Sequence, residues 1–358
     1  MVRRVPGLPA WVPGSPRRLA TLVIAGICVL AALVVAAVVS VPYVALTPGP
    51  TLNTLGKPEG TELIQISGAH TYPTTGHLNM VTVSYTGGPG TGFNIFSALR
   101  AWLTPNDAVV PESEIYSSGQ TQQQVVQQDT QEMLGSQQDA TAAALCYLGI
   151  KFTTLAPILG TAPGMPADGV LHSGEDITAV DGTPISCDNN VVSMIRDRKP
   201  GADVTLTIER SGSAKSVTLA TKDVQGQPVV GVSLGQATYK FPFSVKINLS
   251  DIGGPSAGLM FALGIIDKLT PDNLTGGKFI AGTGEIAPDG LIEPIGGIQQ
   301  KMAGARAAGA TIFLTPASNC VNTVGAVPAG LRLVRVNSLS QAVSELQAIR
   351  SGRPVPSC

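Results

Sequence analysis

Ser256 stands in GGPSAGLMFALGIIDKL, residues 253–269, between a Gly-Gly-Pro turn and an apolar run with helical character. Pro255 suits a first helical turn, where its missing N–H would have no helical partner. Ser256 is thereby expected in that first turn, where unpaired backbone N–H groups and the positive helix end favour developing negative charge. Gly253 and Gly254 would let a substrate approach the backbone closely. A serine so placed can be a nucleophile beside an oxyanion hole formed by backbone N–H groups around Gly254 and Ala257. Ordinary helix capping is the simpler explanation of this stretch taken alone, so a nucleophile needs a partner elsewhere.

A partner is offered by AGTGEIAPDGLIEPIGGIQQKMAGARAAGATIFLTP, residues 281–316, where Gly296-Gly297 open a second helix. Lys301 falls in its early turns, with Gly304, Ala305 and Ala308 on the same side by three- and four-residue spacing. Small neighbours permit close packing, and both burial and a positive helix end disfavour the ammonium. A neutral lysine can take the proton of a serine hydroxyl. The competing reading is a solvated lysine on a surface helix.

These segments together resemble the proteolytic domain of the Lon family. The matching residues are Gly254-Pro255-Ser256-Ala257-Gly258, Thr283-Gly284-Glu285-Ile286, and Pro294-Ile295-Gly296-Gly297-Ile298 with Lys301; Ala305 to Pro316 continue the match. The resemblance implies an α/β (α+β) proteolytic fold in which Ser256 is the nucleophile and Lys301 its base. It also implies that Thr283 lies near the lysine and helps orient it. Gly253 departs from the family pattern, since many Lon proteins carry Asp there. No Gly-x4-Gly-Lys-Ser/Thr phosphate loop occurs in these 358 residues; TGGKF at 275–279 lacks the first glycine and the hydroxyl. Hydrolysis without ATP is therefore expected. Asp251 and Asp289 could complete a Ser-His-Asp triad only on paper, because no histidine motif lies near them.

The elements that must hold these residues follow from the rest of the chain. Residues 19–41, LATLVIAGICVLAALVVAAVVSV, run 23 positions without a charge, against ~20 needed to span a bilayer. A cleaved signal peptide usually has an apolar core of only ~7–15 residues, so the length favours an uncleaved anchor. Arg3, Arg4, Arg17 and Arg18 precede it, which places the N-terminus in the cytoplasm and the remainder outside, at the cell membrane. With 13% charged residues and a net charge of -1, no basic field exists to recruit nucleic acid.

GMPADGVLHSGEDITAVDGTPI (164–185) and ADVTLTIERSGSAKSVTLAT (202–221) resemble a PDZ domain of the protease-associated bacterial type, over 152–235. The resemblance implies that a peptide adds a strand to its sheet edge. The strand at His77–Tyr85 and the helix ending at Gly149 look like the first half of the Lon fold, which makes the PDZ segment an insertion. The expected organisation is a cytoplasmic 1–18, a transmembrane 19–41, an extended linker 42–75, a first Lon part 76–151, the PDZ domain 152–235, a Lon part with the dyad 236–350, and a tail 351–358.

Cys28 sits in the span; Cys146, Cys187, Cys320 and Cys358 allow three pairings that sequence does not choose among. Cys320 and Cys358 share one segment after the last motif, which favours that pair. His70, His77 and His172 are too scattered for zinc, and no metal or cofactor is expected. The expected partners are peptide or protein substrates at the PDZ groove, the bilayer at 19–41 and further copies of the chain. The functional expectation is a membrane-anchored, extracytoplasmic serine endopeptidase; the alternative is a non-catalytic PDZ scaffold that keeps a Lon-like core.

Overall fold

The structure is a computed structural model that describes residues 16–210, 212–249 and 252–358. Arg3, Arg4 and Asp251 lie outside the described residues. The chain divides into two compact units, one ending at Leu46 and resuming over Tyr85–Gln122, the other comprising Thr47–Ser84 and Gln123–Cys358.

In the first unit, helix α1 spans Pro16–Val38, three residues earlier at each end than the uncharged run. Its large apolar side chains from Leu19 to Val38 are exposed, so no core among the described residues covers them. The segment after it is not the linker expected from its prolines and glycines. Tyr43–Asn53 is a strand, and its first residues pair antiparallel with Ala108–Pro111, Tyr43 opposite Pro111. Helix α2 (Ile95–Leu103), outside the elements expected from sequence, is capped by Asn94, whose side chain accepts from the Ser97 N–H at 3.0 Å. Ala45, Phe93 and Ala101 form this unit's small core.

The second unit holds the sequence motifs. Its main sheet places Arg332–Val336, Ile312–Pro316, Phe279–Gly282 and His77–Gly87 side by side in parallel, followed by Tyr43–Asn53. Parallel strands need long crossovers, and helices supply them. Helix α3 (Gln122–Tyr147) turns a small-residue face, Ala140, Ala143 and Ala144, into the core. Its glutamine-rich half is continuous helix rather than low-complexity chain.

The PDZ segment forms its own sheet. Thr153–Thr161, Asp176–Val180, Asp203–Arg210 and Ser213–Ala220 are consecutive antiparallel neighbours. Asp181 and Gly182 both take positive φ, +48° and +75°, as the tight turn of the Val-Asp-Gly step requires. Helix α4 (Val191–Arg196) covers a separate core of Ile158, Ile177, Leu206 and Ile208. Val232–Leu234 and Thr238–Lys240 both return along Thr153–Thr161, so the module's exit lies beside its entry. Cys146 at the end of α3 is bonded to Cys187 in the module, and Cys320 to Cys358 as favoured from sequence.

Helices α5 (Gly258–Leu269), α6 (Ile298–Ala307) and α7 (Leu339–Arg350) complete the unit. From Leu259 to Ile266 α5 is entirely buried, and each large apolar side chain stabilises by ~1.5–3 kcal/mol when removed from water. A helix apolar on all sides belongs at the centre of a core. That rigid helix is what fixes the turn ahead of it.

Candidate active site

The helix beginning at Gly258 starts later than expected. Ala257 is its N-cap, and Pro255 and Ser256 stand in the turn before it, not in its first turn. Glycine at 253 has a steric reason, because a Cβ there would lie 2.5 Å from the Cβ of Asp129 on α3. The Gly254 N–H donates to the Asp129 carbonyl (3.1 Å) and the Gly258 N–H to the Pro255 carbonyl (3.2 Å). The Ser136 hydroxyl, also on α3, donates to the same Pro255 carbonyl at 2.8 Å. Between these fixed points, the N–H groups of Ser256 and Ala257 donate to no acceptor among the described residues. Gly254 therefore shapes the turn, while Ser256 and Ala257 have N–H groups free to face a substrate oxygen.

Lys301 approaches from α6. Gly297 caps that helix in the left-handed region, φ +66°, and a Cβ there would meet Val83 at 2.6 Å. Gly304 and Ala305 are buried as their spacing suggested, with Gly304 lying against the backbone around Gly49. Ala308 is not; it is the exposed C-cap. The lysine itself is only 3% exposed, and its Nζ lies 2.6 Å from Ser256 Oγ. Nζ also donates to Thr283 Oγ1 at 3.0 Å, and the Thr283 hydroxyl donates to the Ser256 carbonyl at 2.9 Å. Thr283 is fully buried, so one side chain ties amine and serine backbone together.

No carboxylate pairs with Lys301 among the described residues. Burial alone pulls its pKa down from 10.5 to about 7. An amine in that state is substantially neutral near neutral pH, and an amine at hydrogen-bond distance from a hydroxyl can accept its proton. Asp289 is elsewhere; its carboxylate accepts from the Leu291 N–H in a local turn. His172 lies with Glu175 and Arg210 in the PDZ module, His77 stacks on Phe279 and His70 packs against Tyr72, so no histidine joins the serine among the described residues.

A pocket of about 400 Å³ adjoins the serine turn at Pro255, lined by Glu132, Ser136, Asp139, Gln236, Glu285 and Ile286. Burial raises the Glu285 carboxyl, and Glu293, Glu132 and Asp139 raise it further. Burial also raises Asp139, against the opposing hydrogen bonds of Tyr239 and Gln236. Tyr239 donates to Asp139 at 2.8 Å, so the segment leaving the PDZ module is fastened to α3 at this pocket.

The comparison with known proteins follows the same division. Residues 251–348 match the Lon protease (S16) C-terminal proteolytic domain, and residues 146–221 match the PDZ domain. The chain carries a Lon-type proteolytic domain and a PDZ domain. Lon protease 1 of Sorangium cellulosum is 36% identical over 103 residues, 28% of this chain and 12% of that protein. Lon protease 2 of Bacillus subtilis is 34% identical over 98 residues, 26% of this chain and 17% of its own length. The chain thus spans under a fifth of either relative. Among solved structures, the PDZ domain of an SdrC-like protein from Listeria monocytogenes is 23% identical, with TM-score 0.21, covering 22% of this chain and 85% of that one.

The Lon-type match contains Ser256, Thr283 and Lys301, all three from motifs legible in the sequence. Ser136 and Asp129 were not legible. They precede the serine by more than 100 residues, in a helix whose glutamines carry no apolar signal.

Proposed function

We propose that the protein is a serine endopeptidase working through a Ser256–Lys301 dyad. The observation that carries this reading is a buried, carboxylate-free lysine 2.6 Å from a serine hydroxyl, inside a Lon-type match. Neutral Lys301 takes the Ser256 proton as Oγ bonds to the scissile carbonyl carbon. The carbonyl oxygen becomes an anion facing the Ser256 and Ala257 N–H groups. As the C–N bond breaks, the Lys301 ammonium returns the proton to the leaving amine. Water then attacks the acyl-serine with Lys301 again as base, releasing the acid and restoring the hydroxyl. Thr283 holds the amine in line throughout.

The same reading places the catalytic unit outside the cytoplasmic membrane. Helix α1 is long and apolar enough to cross a bilayer, and basic residues stand at its start. Two disulfides in the segment after it suit an oxidising compartment. The PDZ module presents substrate by strand addition, and the chain needs no nucleotide, because it has no phosphate loop.

A fluorophosphonate probe tests the reading. It should label wild-type protein at Ser256 and fail on Ser256→Ala and Lys301→Ala, both folded by circular dichroism. No labelling of folded wild type, with peptide binding retained by the PDZ module, would instead identify a scaffold.

A further inference from the structure

Helix α2 is built the wrong way round for a helix in water. Its small residues Ala98 and Ala101 face the protein, packing with Ala45, Phe93 and Val109. Its large ones face outward: Ile95 is 50% exposed, Leu99 50%, Trp102 72% and Leu103 68%. These positions, spaced i, i+4, i+7 and i+8, form one stripe of the helix, with Phe96 on its flank. Ser97 and Arg100 lie outside the stripe. A water-facing helix puts its large apolar residues on the core side, so this face is made for another apolar surface.

The position of α2 identifies that surface. The Asn94 amide donates to the carbonyl of Ala37 at 2.9 Å, in the last turn of α1, while its oxygen caps α2. The Val41 N–H donates to the Phe93 carbonyl at 2.8 Å, and Ser40 bridges to Asn94. One residue therefore serves both helix ends, and the start of α2 is held at the depth where α1 stops. The 23 residues of α1 make a helix ~34 Å long, against a hydrocarbon core of ~30 Å. With Arg17 and Arg18 at one boundary, Val38 reaches the other, and α2 begins at the headgroups. Tryptophan favours that level, and helices with one apolar face lie in its plane.

We infer that α2 is an interfacial helix whose Ile95–Leu99–Trp102–Leu103 face inserts into the outer leaflet of the membrane that α1 crosses. The inference rests on the reading of α1 as an anchor. It gives the chain a second lipid contact, continuous with the first, that fixes how the first unit sits on the bilayer.

The chain has two tryptophans, Trp11 and Trp102, so Trp11→Phe leaves one reporter on the proposed face. The full chain is reconstituted in phosphatidylcholine–phosphatidylglycerol vesicles containing lipids with a spin label near the headgroup or near the chain end. A second protein, Trp11→Phe/Trp102→Phe/Val35→Trp, reports on α1. Trp102 should be quenched severalfold more by the shallow label than by the deep one and be shielded from iodide. Leu99→Lys/Leu103→Lys should abolish that quenching. Trp102 open to iodide and untouched by either label, with the α1 reporter quenched, would overturn the inference while leaving the anchor intact. Neither reporter quenched by lipid would overturn both. Trp102 shielded from iodide and lipid alike would mean that protein, such as a second copy, covers the face, and would also overturn it.

Discussion

Lys301 holds an amine at 3% exposure and Trp102 an indole at 72%, so two regions depart from ordinary burial in opposite directions. Around Lys301 the protein removes a basic group from water and, among the described residues, supplies two hydroxyls in return. Around Trp102 it leaves large apolar side chains uncovered while burying alanines. In both the arrangement suits a role, proton transfer at the lysine and contact with lipid at the tryptophan. Polarity out of place is informative in proportion to how firmly the fold holds it there. Lys301 is held by the left-handed Gly297 cap and the buried α6 face, and Trp102 by the double use of Asn94.

Exchanging polarity at each region should have effects of very different size. The largest effect is expected at the dyad. Ser256→Ala should eliminate peptide hydrolysis. Lys301→Arg, which keeps the charge but has no neutral form, should lose ~10²–10⁴-fold or more in kcat/KM. Near-normal turnover by Lys301→Arg would remove lysine as the base.

Thr283→Val comes next. Loss of one hydrogen bond to the amine should cost about 1.4 kcal/mol, roughly 10-fold in kcat. The valine variant also removes an acceptor that favours the ammonium, so its pH–rate midpoint should move lower. Thr283→Ser should restore both quantities, and failure of the serine variant to do so would make Thr283 a packing residue only.

Lys301→Met sharpens the stability side. The folded pKa of about 7 lies below the ordinary 10.5, so between those values the unfolded chain binds the extra proton. Wild-type stability should therefore rise with pH across that window. The methionine variant, inactive, should be more stable by about 1–3 kcal/mol at pH 7, the advantage fading toward pH 10.5. Denaturant melts at several pH values give the answer.

The smallest effect on catalysis is expected at α2. Leu99→Lys/Leu103→Lys in detergent should leave peptide kcat/KM within roughly 2-fold, because exposed positions touch no catalytic group. A large loss would tie α2 to the chemistry and dissolve the contrast.

Legibility in the sequence followed locality. Ser256, Thr283 and Lys301 belong to short motifs whose order survives without knowledge of the fold, and the PDZ strands flank turns that announce themselves. Tyr43–Asn53 read as a linker because Pro48 and Pro50 interrupt its alternation; the strand is supported by sheet neighbours far along the chain. The apolar spacing of α2 is the ordinary helix signal, but what the sequence alone does not carry is that this stripe faces away from the protein while Ala98 and Ala101 face it. The grip of α3 on the serine turn, through Asp129 and Ser136, spans 119 residues at Ser136 and leaves no local trace. The pocket beside Pro255 is assembled from separated segments for the same reason.

The proposed dyad requires that a lysine neutral near pH 7 activates Ser256. Its most direct test is the rate of fluorophosphonate acylation of the full chain, followed across pH in a single turnover. The rate should rise through one ionisation with its midpoint near the buried lysine's value of about 7, with no such rise in Lys301→Arg. A midpoint near the ordinary lysine value of 10.5, or the same profile in Lys301→Arg, would contradict it.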